Sequence, residues 1–277
     1  MEKETIAMNA LTTSENLITE GQQDLITRLV EDARKKALAV IKPDNPAAQR
    51  IISRGDELVS AFIDKMRELS LELPDMPCFG IADWQKFYGL TLMPKQIASV
   101  ANFPWSDKTL NAPCPFNPGK MIRETHFAFV GLDTVSIMEF QKLNPIATEP
   151  RFYQYGSDAW YRNEKFATKV NLKFRWYLLL KDIVPGSENK TFDEQVAMLP
   201  EEYEVPTAVE ETTKDFLIFK KTGTYVNSNR YARTADLDSG GFRVLVGYCD
   251  ADGVRVSHYW GDDRSDSVGL PASRKFE

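Results

Sequence analysis

Two histidines and three cysteines are all that these 277 residues hold of the two most versatile metal-binding and nucleophilic side chains. The cysteines, Cys78, Cys114 and Cys249, are odd in number, far apart and outside CxxC spacing, which excludes a disulfide framework and a zinc knuckle. No stretch approaches the roughly 18–20 apolar residues of a membrane span, and the first residues lack a basic segment followed by an apolar one. An unexported cytoplasmic protein with no membrane partner is therefore expected. The chain also lacks GxSxG, HExxH, GxxxxGK[ST] and GxGxxG, so the commonest hydrolase, zincin, nucleotide and dinucleotide chemistries have no local signature.

What is present is an ordinary globular composition, 43% hydrophobic and 27% charged, with a net charge of -6. That sum argues against broad attraction to phosphate backbones, but only residues 81–184 are basic, with 13 Lys and Arg against 9 Asp and Glu.

Residues 1–22 are polar and aperiodic and are expected as an arm. Apolar residues at intervals of three and four over 24–41 and again over about 46–71, split by Pro43 and Pro46, predict an antiparallel helical hairpin within 23–75. The prolines between 74 and 118 forbid long elements, while the aromatics Trp84, Trp105 and Phe116 call for burial. A buried strand is predicted at 125–132, followed by a short helix that starts at Asp133 or Thr134 and is stopped by Asn144-Pro145. The alternation over 169–180 predicts a long strand with one wet face. Capping boxes open helices at Thr191 and Thr207, and Gly223 closes the second. Asp250-Ala251-Asp252-Gly253 turns a β-hairpin over 242–260, and the tail from Arg264 is expected to be polar and extended. These readings compose an α+β protein: the helical hairpin, then an α+β domain over 76–277 whose mainly antiparallel β-sheet is packed by helices.

Three candidate sites follow. His258 with Asp262, Asp263 and Asp266 could hold a divalent metal for hydrolysis, since one imidazole and several carboxylates leave a strand end together. Lys169, Lys173 and Arg175, part of a cation run reaching Lys181 and interleaved with aromatics, could bind single-stranded nucleic acid through charge and stacking. His126, behind Arg123-Glu124-Thr125, reads either as an acid–base group, with Cys114 as a nucleophile, or as a hydrogen-bonded structural histidine.

The segments Tyr231-Ala232-Arg233-Thr234-Ala235-Asp236, GFRVLVGYCDADGVRVS and VGLPASRKF resemble the closing part of uncharacterised bacterial proteins seen in environmental genomes. The resemblance implies a bacterial origin and no particular activity. The working expectation is a non-catalytic binding or assembly module that meets a protein partner or itself, possible sites being the helices of 24–71. Single-stranded nucleic-acid binding and metal-dependent hydrolysis are the alternatives.

Overall fold

Two apolar runs, His126–Val130 (β2) and Trp176–Leu180 (β3), lie antiparallel at the centre of a five-stranded sheet, every one of their residues buried. Their alternating side chains feed two different cores. Phe127, Phe129, Tyr177 and Leu179 point into the main one, whereas Ala128, Val130, Trp176 and Leu178 join Trp105 and Leu110 on the other face. The wet face expected over 169–180 is confined to Lys169, Asn171 and Lys173, which are exposed but precede the strand; within the strand both faces are buried. The strand begins only at Trp176, because the chain before it turns: Arg175 N donates to Lys173 O at 2.9 Å, and Lys173 N to the Tyr177 hydroxyl at 2.8 Å.

The computed structural model describes residues 28, 31, 35, 54, 57, 76–156 and 158–276. The chain divides into two compact units, Met1–Ile63 and Asp64–Glu277, and every element described here belongs to the second. The expected arm and helical hairpin lie outside the described residues, a few isolated positions aside.

Within that unit the architecture is α+β, with mixed sheets in place of one mainly antiparallel sheet. The first is ordered β1-β2-β3-β9-β4, adding Cys78–Phe79 (β1), Tyr203–Glu204 (β4) and Ser273–Arg274 (β9). The second is ordered β7-β6-β5-β8, from Tyr231–Leu237 (β5), Arg243–Asp250 (β6), Gly253–Tyr259 (β7) and Val268–Gly269 (β8). The pairs β1/β2 and β5/β8 are parallel. Parallel pairing needs a crossover, and between β1 and β2 the helices Ile81–Tyr88 (α1), Pro94–Ser99 (α2), Asp107–Leu110 (α3) and Ile122–Thr125 (α4) supply it. Later come Ile137–Leu143 (α5), capped by Ser136 and not by Asp133 or Thr134, then Lys165–Thr168 (α6), Phe192–Val196 (α7) and Ala208–Thr222 (α8). Helix α8 contacts strands of both sheets.

Buried indoles find carbonyls to donate to, which is what lets so many tryptophans stay inside. Trp84 Nε1 donates to Val130 O at 2.8 Å, Trp176 Nε1 to Val100 O at 2.9 Å and Trp105 Nε1 to Lys275 O at 2.9 Å. The last bond shows how the tail differs from expectation. Residues 268–273 are buried, and β9 is inserted between β3 and β4 with Leu179 opposite Ser273 and Glu204 opposite Ser273 on the other side. Removing residues from 267 onward is expected to abolish the cooperative thermal transition seen by circular dichroism, because it opens β3 and strips the cover from Leu180 and Tyr203. A sharp transition in that truncation would show the tail to be dispensable.

Candidate functional site

Helix α8 is the least ordinary element of the fold. Its box, Thr207 Oγ1 accepting from Glu210 N and Glu210 Oε2 from Thr207 N, and its left-handed Gly223 make it a well-ended helix. Yet Glu211, Thr212, Thr213 and Lys214 are 0% exposed and Asp215 only 2%. The sequence carried a signal for this that composition hides. At 100° per residue, Ala208, Val209, Phe216, Leu217 and Ile218 point all round the axis, so no polar face remains for solvent.

The buried charges answer one another. Lys214 Nζ lies 2.6 Å from Glu211 Oε1 and 3.3 Å from Asp215 Oδ1, and it donates to Leu180 O at 3.2 Å at the end of β3. Asn227 Nδ2 donates to Glu211 Oε1 at 3.0 Å and Asp215 Oδ1 at 3.3 Å, and the Cys249 thiol donates to Asp215 Oδ2 at 3.2 Å. Burial pushes the Glu211 carboxyl up to about 7 and raises that of Asp215, both against the pull of Lys214. Burial also works against the Lys214 ammonium, but the two carboxylates outweigh it and hold its pKa above the ordinary value. The Cys249 thiol is raised well above its usual range by burial and by Asp215, so it stays protonated.

Two backbone irregularities bring Asn227 and Cys249 to the helix. Asn227 takes a left-handed conformation with φ 50°, which asparagine tolerates better than most residues. The register of β6 against β7 slips between Gly247 and Asp250, and this bulge accompanies the turn of Cys249 inward. The two are laced together: Cys249 N donates to Asn227 O at 3.3 Å and Tyr248 N to Arg230 O at 2.9 Å. A Cβ on Gly247 would stand 2.1 Å from Arg230 O, so only glycine allows this approach. Gly247→Ala is expected to lose about 2–4 kcal/mol in urea unfolding, from overpacking against backbone at a strained φ. A loss below about 0.5 kcal/mol would mean that the loop is not held to the bulge.

Over this cluster opens a cleft of about 490 Å³ walled by segments 117–125, 180–185 and 225–230. Asn227 is shared between them, lining the cleft with part of its surface while its amide bonds the buried carboxylates. Leu180, whose carbonyl receives Lys214, also lines it. Three cations reach the walls. Arg230 pairs with Glu188, whereas Lys181 Nζ donates to Glu124 O at 2.7 Å. Lys120 stands exposed on the 117–125 segment.

The residues expected from sequence lie elsewhere. His258 is exposed, pairs through Nδ1 with Asp238 and packs its ring at 4.5 Å from Trp160. Asp262, Asp263 and Asp266 are exposed; the chain there is held through Asp263 O, which accepts from buried Arg233 Nη2 at 2.9 Å, and through Arg264, 2.6 Å from Glu194. Among the described residues no three His, Cys, Asp or Glu side chains converge into a set that could hold a metal ion. Lys169 and Lys173 are exposed outside any strand, and Arg175 lies over the Tyr177 and Phe276 rings at 4.7 Å from each. His126 is buried, with Nδ1 at 3.1 Å from Ile122 O and Nε2 at 3.2 Å from the Tyr203 hydroxyl. Burial lowers its pKa to about 3, so it is a neutral, hydrogen-bonded ring, and Cys114 receives Asn117 Nδ2 at 3.8 Å. No helix among the described residues is long and apolar enough to cross a membrane. No family model, curated protein or solved structure matches the chain.

Proposed function

We propose that the protein is a non-catalytic binding module whose ligand is a small polar molecule held in the cleft above α8. The observation that carries this reading is the cleft itself. Its volume falls in the range of small-molecule sites, and one wall, Asn227, is fixed from behind by the buried Glu211, Lys214 and Asp215. Such rear support is what a pre-organised binding wall requires, because the ordering is already done before the ligand arrives. The reactive groups nearby favour binding over chemistry. Cys249 is sealed in as a thiol and both His126 nitrogens are engaged, so neither is offered to a ligand.

Native mass spectrometry of protein taken from its expression host tests the reading, with Ser228→Trp as the comparison. Ser228 is exposed and lines the cleft, so an indole there fills space without disturbing the core. The wild type is expected to carry, or to take up from a metabolite extract, an adduct of metabolite mass that Ser228→Trp does not. A wild type that takes up nothing, or an adduct equally held by the variant, sinks the reading.

A further inference from the structure

We infer that the ligand of this cleft is a hydroxyl-bearing molecule with one anionic group, a carboxylate or a phosphate, and that Lys181 and Lys120 receive that anion. The inference rests on the cleft being the binding site and adds the chemistry of what it binds.

Lys181 follows directly on β3. Its backbone N donates to Thr125 O at 3.0 Å, which fixes where the side chain starts, and its ammonium is half-buried with a carbonyl, Glu124 O, as its hydrogen-bond partner. No carboxylate forms an ion pair with it among the described residues. Lys120 comes from the neighbouring 117–125 segment, which the Lys181 ammonium itself bonds through Glu124 O, is likewise without an ion pair among those residues, and stands close enough for its charge to act on Lys181. Burial, reinforced by Lys120 and opposed by Asp182, lowers the Lys181 pKa. Two ammoniums turned toward one cleft repel each other until an anion sits between them, and charge-assisted hydrogen bonds to that anion are the strong kind.

The rest of the lining selects what carries the anion. Arg230 is already committed to Glu188, and Glu124 spends Oε2 on Met121 N at 2.7 Å. What stays available is Asp182, exposed, with the side chains of Ser228 and Asn229; Asn117 also lines the cleft, its Nδ2 turned to Cys114. A free carboxylate beside amides repels a second anionic group and accepts from hydroxyls, so the remainder of the ligand is neutral and hydroxylated. A nucleic-acid strand, with a phosphate at every residue, meets Asp182 and Glu124 as well as the lysines and fits less well.

Isothermal titration of the full chain with glucose 6-phosphate, gluconate and glucose as probes tests this. The two charged probes are expected to bind at least about tenfold more tightly than glucose, and Lys181→Met to remove about that factor while Lys181→Arg keeps most of it. Whichever of the phosphate and carboxylate probes binds better names the anion. Equal affinity for glucose, full affinity in both Lys181→Met and Lys120→Met, or no binding of any probe overturns the inference. Tighter binding of a single-stranded oligonucleotide overturns it in favour of nucleic acid. Ser228→Trp separates the two levels: probe binding that survives the indole places the ligand outside the cleft and takes the proposed function down, whereas binding lost in Ser228→Trp but indifferent to the lysines leaves the cleft standing and removes only the anion.

Discussion

Lys214→Met is expected to destabilise the 64–277 unit by about 3–5 kcal/mol in urea unfolding, the range for removing one member of a buried ion pair. The reason is what stays behind. Glu211 and Asp215 keep their places on α8 with no water to turn to, and the Leu180 carbonyl loses its donor. Against a total stability of about 5–15 kcal/mol this is a large fraction. The combined variant Glu211→Gln, Lys214→Met, Asp215→Asn removes the stranded charges together and is expected to recover more than half of the loss. If the single and the triple variant are equally damaged, charge is not what the cluster contributes, and shape alone accounts for it.

The second large effect is a pH dependence specific to Glu211. Its folded-state pKa, about 7, stands above the ordinary 4.5, so the stability its proton contributes is complete below pH 4.5 and is lost as the pH rises through 7. The buried Oε2 atom has no hydrogen-bond partner, which makes it the oxygen least able to carry charge. Glu211→Gln is permanently in the neutral form. Its stability relative to wild type is therefore expected to improve between pH 5 and pH 8, by on the order of 2 kcal/mol. His126 acts in the opposite sense. With its pKa lowered from 6.5 to about 3, its contribution is present above 6.5 and lost as the pH falls, so His126→Gln should flatten the acid limb alone. Parallel pH profiles for wild type and Glu211→Gln would show that Glu211 does not titrate in this window.

What could be seen in the sequence was what a few neighbouring residues decide among themselves. The boxes at Thr191 and Thr207, the stop at Asn144, the glycine after α8 and the Asp-Gly turn between β6 and β7 are all short-range events, and they stand where those residues put them. Residues 169–175 show the limit of such reading: the alternation is real, but the Tyr177 hydroxyl and the Lys173 carbonyl draw the backbone into a turn. The cleft was harder still. Lys181 belonged to a visible cation run, yet its neighbours come from 117–125 and 225–230, which only the topology brings beside it. The burial of α8 could be read from apolar residues all round its axis, but the partners of its charges, Leu180, Asn227 and Cys249, are supplied by other elements. Arg233 was hidden for the same reason, since the carbonyls that receive its Nη atoms, of Lys190, Gly261 and Asp263, belong to segments before and after β5 in the chain.

The placement of β9 between β3 and β4 bears on how the protein is born. A ribosome makes Leu179 long before it makes Ser273, and until then the inner edge of β3 has no strand to pair with. The nascent chain must therefore carry an open, apolar strand edge through the synthesis of the entire second sheet, which is the kind of surface that chaperones hold and that other nascent chains capture. Closure of the first sheet therefore waits for residues 273–274, which are made after every strand of the second sheet.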